Sequence, residues 1–252
     1  MTSTHHPIRM VEPGTFQHHL HVYPKVQQRI MHPVVQSFFQ LNDQQIIDRY
    51  GQKNPKVVPG ILHRILKYQP SYYQWAGADL IPGMDREGKR QMILIENNSC
   101  PSGQKSMPLL DPGSAQGGYL TLMKESFQSL VQTTIKRRKG ALVVLYDKNL
   151  LETSGYASVM ADVFQEMVYL VPCMDSEQPD YIRYREGRME IKAEGSAWLP
   201  VRAAFRYVTS RPWNRIHVNT STPIFNPIIA CLAGGRNKLV AAKAYEEYNA
   251  KL

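Results

Sequence analysis

The side chains in this 252-residue sequence that are best placed for chemistry are two carboxylates and an amide near the ends of two short extended segments. Asp79 lies in the first segment, and Glu96 and Asn98 lie two residues apart at the end of the second. Residues two apart point to the same face of a strand, so one ion can contact both Glu96 and Asn98 if the chain stays extended to residue 98. We call Asp79, Glu96 and Asn98 the carboxylate–amide triad.

The chemistry of this triad favours a hard divalent cation. Two anionic oxygens and one amide oxygen suit Mg2+ or Mn2+, whereas the lack of His and Cys among the three disfavours Zn2+. The alternative interpretation is that Glu96 and Asn98 only cap a turn, because acidic and amide side chains are common where a strand gives way to a loop.

A β-hairpin is the element that must position the triad. Residues 76–82 and 91–96 form two extended runs, and the polar segment between them has Gly88 near its tip. The second run is apolar on both faces until it ends in polar residues, so a buried strand brings a carboxylate to its own end. The hairpin places Asp79 on the strand next to Glu96.

A long loop follows this hairpin. Residues 99–118 contain three prolines and four glycines, and they exceed the four to six residues usual for a connection, which indicates a functional or disordered segment. Cys100 lies in this loop, but a reactive thiol needs a lowered pKa, which the nearby carboxylate of Glu96 opposes. The nucleophile motif Gly-x-Ser-x-Gly is absent.

The remaining periodicity predicts an α/β fold with a parallel or mixed sheet and flanking helices. Residues 1–25 are expected to be a flexible N-terminal segment. The predicted elements outside the hairpin are two short helices within 26–50, helices over 57–68, 119–135, 156–170 and 238–249, strands over 141–145 and 201–208, and a second hairpin over 181–192.

Two arginines on the strand over 201–208 are candidate substrate ligands. Arg202 and Arg206 share one face of this strand by the two-residue period, and they can bind a substrate carboxylate or pair with acidic neighbours. Lys238 follows two glycines at a helix start, which favours either a phosphate contact or a plain turn and helix cap.

Composition excludes intrinsic disorder and fibrous or coiled-coil classes, since 43% of the residues are hydrophobic. The net charge of +9 indicates a polyanionic partner, either nucleotide phosphate or nucleic acid. Three widely spaced cysteines indicate a reducing, cytoplasmic setting, and no apolar run is long enough for a membrane span or a secretory signal. We therefore expect no membrane partner.

The hairpin and its loop resemble the ATP-grasp superfamily, and most closely its circularly permuted branch. The resemblance rests on the pattern Gly-x-Asp, then Gly88, then a hydrophobic run followed by Glu-x-Asn-x-x-Pro-Ser-Gly, which ends at Gly103. Later elements follow the order of this family, so the resemblance covers most of the chain after about residue 38. It implies an ATP-dependent ligase that joins a carboxylate to an amine through an acyl phosphate.

The resemblance also implies residue roles. The carboxylate–amide triad would hold Mg2+ (or Mn2+) against the phosphates of ATP. Ser102 and Gly103 belong to the loop beside the acyl-phosphate site, and Lys238 would contact phosphate. The chain departs from the family pattern at Gly77, where many members carry an Arg, and at Asn237, where the family has Asp.

The implied organisation is a series of regions: a flexible segment over 1–25, helices and the metal-site hairpin over 26–135, a pre-ATP-grasp-like α/β domain over 136–235, and the start of a nucleotide-binding subdomain over 236–252. In permuted members the strands that clasp adenine come after the Lys238 segment. We therefore expect either a missing C-terminal region or a partner subunit to complete the ATP site. The alternatives are a non-catalytic partner module and, less favoured, a basic nucleic-acid-binding protein.

Overall fold

The structure is a computed structural model of the chain. It describes residues 8–27, 33, 36–37, 40–84, 86–88, 90–107, 115–135, 139–174, 179–210, 215–232 and 238–250.

The described residues form a mixed α/β fold. Its strands are β1 (Arg9–Val11), β2 (Gly77–Met84), β3 (Arg90–Asn98), β4 (Ala141–Tyr146), β5 (Val168–Pro172), β6 (Ile182–Arg185), β7 (Arg188–Ile191), β8 (Leu199–Tyr207) and β9 (Ile224–Phe225). Its helices are α1 (His18–His21), α2 (Pro24–Gln27), α3 (Asp43–Lys53), α4 (Pro59–Leu66), α5 (Gly117–Leu122), α6 (Ser129–Ile135), α7 (Leu150–Phe164), α8 (Ile229–Leu232) and α9 (Lys238–Asn249). A π-helical turn, Met123–Gln128, joins α5 to α6.

Seven of these strands form one mixed sheet in the order β1-β5-β4-β8-β7-β6, with β9 on β8. β4 pairs in parallel with β5 and β8, whereas the strands at both edges of this core run antiparallel. The predicted mixed sheet with flanking helices is confirmed. Of the described helices, none is both long and apolar enough to pass through a lipid bilayer.

β4 lies at the centre because it is apolar on both faces, as expected for a strand covered on each side. Leu142 and Val144 face a cluster that includes Tyr156 of α7. Val143 and Leu145 face a second cluster, built from the hairpin β6–β7 and the residues that follow β8.

The predicted helix over 156–170 was wrong at both ends. α7 begins at Leu150, and Gln165 ends it in the left-handed conformation, with a φ of 53°. The apolar run that continues the helical period is instead strand β5, which pairs with β1 and β4. Its partners lie far away in the sequence, so the local pattern could not reveal them.

Residues 8–25 of the segment that the sequence predicts to be flexible contribute to the fold. β1 pairs antiparallel with β5, and both His21 and Val22 are buried. Val22, Trp75 and Tyr119 belong to the same hydrophobic cluster as β4, so parts of the chain on both sides of the hairpin contribute to one core. A strand of three residues is too short to show a period.

The hairpin β2–β3 is a separate two-stranded sheet, and the side chain of Asn226 fixes its base to the main sheet. Asn226 is fully buried, and its Oδ1 accepts hydrogen bonds from the backbone N–H groups of Gln74 (2.8 Å) and Trp75 (3.3 Å). Its Nδ2 donates to the carbonyl oxygens of Trp75 (2.6 Å) and Ser99 (2.8 Å). One amide therefore holds the chain just before β2 and just after β3.

We expect Asn226→Ala to lower the free energy of unfolding by about 3 kcal/mol or more, because each buried backbone group left without a partner costs about 1–3 kcal/mol. Urea titration followed by circular dichroism measures this loss. The matched control is Asn219→Ala at an exposed position, for which we expect a change within about 0.5 kcal/mol. Equal effects of the two substitutions would contradict the role given to Asn226.

Candidate functional site

The hairpin brings the carboxylate–amide triad together on one face. Asp79 lies directly opposite Glu96 in the antiparallel register, and Gly77 lies opposite Asn98. Residues directly opposed in such a pair have Cβ atoms about 5 Å apart on the same side of the sheet. Asn98 Nδ2 donates a hydrogen bond of 3.3 Å to Asp79 Oδ1. The three side chains are therefore neighbours, as the sequence predicted.

A break in the register lies next to the triad. Asp79 pairs with Glu96 but Leu80 pairs with Leu94, so one residue of β3 has no partner on β2. Bulges of this type bend a strand and re-aim its side chains, and they are frequent beside functional sites.

Close packing explains why Gly77 carries no side chain here. A Cβ atom at position 77 would lie 2.6 Å from the Cβ atom of Pro101, which is far inside van der Waals contact. The Pro-Ser-Gly loop therefore occupies the space that an Arg at position 77 would need.

Lys238 also reaches the triad. Its Nζ lies 3.7 Å from Glu96 Oε1, where the Glu96 side chain is 14% exposed and that of Lys238 70%. The position of Lys238 depends on α9, which packs on β3, and Tyr245 of this helix accepts a hydrogen bond of 2.9 Å from the backbone N–H of Leu94. The predicted phosphate ligand thus lies beside a predicted metal ligand.

A cleft of about 420 Å³ lies beside two members of the triad, Asp79 and Asn98. Asp79, Asn98 and Ser102 line one side, and Lys148 and Thr209 line the other. Lys148 follows β4 and Thr209 follows β8, so the second wall is formed at the carboxyl ends of two adjacent parallel strands. Ligands of open α/β sheets bind in crevices at this edge.

The sequence did not point to Glu152, which anchors the loop immediately after Ser102. This carboxylate is fully buried, and its Oε1 accepts hydrogen bonds from the backbone N–H groups of Gly103 (2.8 Å) and Gln104 (3.0 Å) and from the Tyr156 hydroxyl (3.3 Å). Lys105 Nζ lies 3.7 Å from its Oε2. An acidic residue within an apolar helical stretch was the available signal, but the predicted helix began after it.

Ser102 is held by a buried tyrosine. Burial raises the pKa of Tyr207 to about 12, the Glu152 carboxylate adds to the rise, and hydrogen bonds with Asn149 and Ser102 oppose it. Tyr207 therefore stays a neutral phenol, whose hydroxyl donates to Glu152 Oε2 (3.5 Å) and accepts from Asn149 Nδ2 (3.0 Å). The loop predicted to lie at the acyl-phosphate site is thus anchored through both its backbone and its serine.

Arg202 and Arg206 do not meet. A shift in the pairing of β8 with β4 falls at Arg202 and interrupts the two-residue alternation on which their predicted common face depended. Arg202 pairs with Glu166. Arg206 is fully buried and donates from Nε to the carbonyl of Asn226 (2.6 Å) and from Nη1 to that of Val208 (2.7 Å). Arg202 thus pairs with an acidic neighbour, which was the alternative prediction, whereas backbone carbonyls hold Arg206.

The donor set of the triad fits Mg2+ or Mn2+, provided that the Asn98 amide turns over to present its oxygen instead of its nitrogen. The site has only two carboxylates. Within the described ranges, no group of three or more His, Cys, Asp or Glu side chains is placed to hold a metal ion.

Comparison of the chain with models of known families, with curated proteins and with solved structures finds no match. The function must therefore be argued from the site.

We expect Glu152→Ala to accelerate hydrogen exchange at the backbone amides of Gly103 and Gln104 by about tenfold or more, because each loses a bond to a buried charged acceptor. Mass spectrometry of peptides covering residues 99–107 measures this rate. Glu152→Gln keeps an acceptor oxygen and should retain most of the protection. Glu166→Ala is the control, and unchanged exchange in Glu152→Ala would contradict the anchoring role.

Proposed function

We propose that this chain forms the metal- and substrate-binding part of an ATP-dependent ligase that joins a carboxylate to an amine. The observation that carries the proposal is the cross-strand pairing of Asp79 with Glu96, with Asn98 in contact, at the side of a cleft. A pair that only capped a turn would not need an opposed carboxylate on the neighbouring strand.

The proposed reaction has two steps. A carboxylate oxygen of the acid bonds to the γ-phosphorus of ATP while the bond to ADP breaks, which gives an acyl phosphate and ADP. The amine nitrogen then bonds to the acyl carbon, inorganic phosphate leaves with the bonding electrons, and a proton from the nitrogen passes to solvent. Such transfers depend mainly on positioning and charge stabilisation, so no nucleophilic side chain is required.

Different residues of the chain would have different roles in this reaction. The triad would hold Mg2+ or Mn2+, which when bound neutralises phosphate charge. Lys238 would leave Glu96 to contact a phosphate of ATP. The loop at Ser102 and Gly103, which Glu152 holds through the Gly103 N–H group, would place the Ser102 hydroxyl beside the acyl phosphate.

The non-catalytic partner module is the second candidate, and the ion pair between Lys238 and Glu96 favours it. An internal ammonium group beside Glu96 supplies the positive charge that a metal would otherwise provide. Calorimetry with Mg-ATP separates the two candidates. Micromolar binding supports the ligase and argues against a module that lacks the ATP clasp.

We expect Glu96→Gln and Asp79→Asn each to weaken Mn2+ binding by about 10- to 100-fold or more. Removal of a residue that only supports a metal ligand causes a loss of this size, and these substitutions change the ligands themselves. The measurement is Mn2+ titration followed by electron paramagnetic resonance. Glu12→Gln, at an exposed position of the N-terminal region, is the control and should bind Mn2+ as the wild type does.

Release of ADP in the presence of a panel of acids and amines extends this test to catalysis. If Glu96→Gln bound Mn2+ and released ADP as well as the wild type, the metal assignment would fail, and if the wild type released no ADP with any acid and amine, the ligase proposal would fail.

A further inference from the structure

We propose that Lys148 binds the carboxylate group of the acid substrate. This inference rests on the proposed function, and it adds the substrate class and a binding residue that the sequence did not indicate.

Lys148 lines the same cleft as Asp79 and Asn98 of the triad. Lys148 and Asp79 both line it, yet they form no ion pair with each other, and the described residues include no ion-pair partner for Lys148. A cation on one wall and a cation-binding site on the other leave room for an anion between them.

The backbone around Lys148 is fixed on both sides. The Asp147 carboxylate accepts hydrogen bonds from the backbone N–H groups of Thr209 (2.7 Å) and Ser210 (2.6 Å), which ties the end of β4 to the end of β8. Asn149 has a φ of 53°, and its Nδ2 donates to Tyr207. The Cα atom of Lys148 is therefore held in place, which lowers the cost of binding a ligand.

The positions of Lys148 and Lys238 favour a carboxylate, and not a phosphate, as the ligand of Lys148. Lys238 lies beside Glu96 and belongs to the helix that packs on the hairpin, so it is placed for the nucleotide. Lys148 belongs to the main sheet and shares its cleft with Ser102, on the loop proposed for the acyl phosphate. A single ammonium group matches the single charge of a carboxylate, with which it forms a charge-assisted hydrogen bond.

Two small probes test this assignment in the presence of Mg2+. Phosphonoacetate carries a phosphonate and a carboxylate, whereas methylphosphonate carries the phosphonate alone. Calorimetric titration of the wild type, Lys148→Met and Lys56→Met with both probes measures the affinities. Lys56 is exposed and outside the cleft, so Lys56→Met is the matched control.

We expect the wild type and Lys56→Met to bind phosphonoacetate about tenfold or more tightly than Lys148→Met does, because only Lys148→Met loses the partner of the carboxylate. Methylphosphonate should bind all three proteins equally. The inference is overturned if the wild type does not bind phosphonoacetate, or if Lys148→Met binds it as well as the wild type does. Equal losses for both probes would make Lys148 a phosphate ligand and would overturn the carboxylate assignment.

A repeat of the titrations without Mg2+ separates this inference from the proposed function. If phosphonoacetate binds the wild type equally with and without the metal, the metal site fails. The difference between the two probes in Lys148→Met still decides the role of Lys148.

Discussion

The hydrogen bonds of one buried amide determine where the hairpin lies. An asparagine side chain offers two N–H donors and two acceptor lone pairs, and Asn226 uses all four on the backbone at the base of β2–β3. A two-stranded sheet is marginally stable by itself, so it depends on what holds it. Because each of these buried groups would be costly to leave unpaired, the four bonds together favour one position of the hairpin base. These bonds therefore help to hold Asp79 and Asn98 beside the cleft.

Local patterns predicted the parts of the fold in which neighbours in sequence are neighbours in space. The hairpin, the buried strand β4 and the helix α9 follow from alternation, apolar runs and turn residues. Strands β1 and β5 were missed because the order of the sheet, and not the local sequence, determines their pairing. The apolar residues of β5 also continue the helical period of α7, and only the left-handed Gln165 marks the boundary.

The candidate site also combines residues that local sequence patterns predict with residues that they do not. Asp79, Glu96 and Asn98 belong to one hairpin, so strand alternation was sufficient to bring them together. Lys148 and Glu152 come from the region that follows β4, about 50 residues further along the chain, and they reach the loop only because the hairpin docks on the sheet. The prediction for Arg202 failed for a different reason. Simple alternation places Arg202 and Arg206 on one face of β8, but a register shift at Arg202 interrupts that alternation.

The cleft lies between the main sheet and the hairpin, and different interactions hold each of these two parts in place. Its sheet wall is part of a seven-stranded sheet with clusters of buried side chains on both faces, whereas its hairpin wall depends on Asn226, on the packing of α9 and on the anchored loop. An anion held by Lys148 and, through a metal ion, by the triad would add a further link between the hairpin and the main sheet. Anything that binds only the docked arrangement stabilises it by mass action. Substrate binding and docking of the hairpin are therefore coupled in the proposed ligase, and the ion pair between Lys238 and Glu96 is the contact that the nucleotide must exchange for its own.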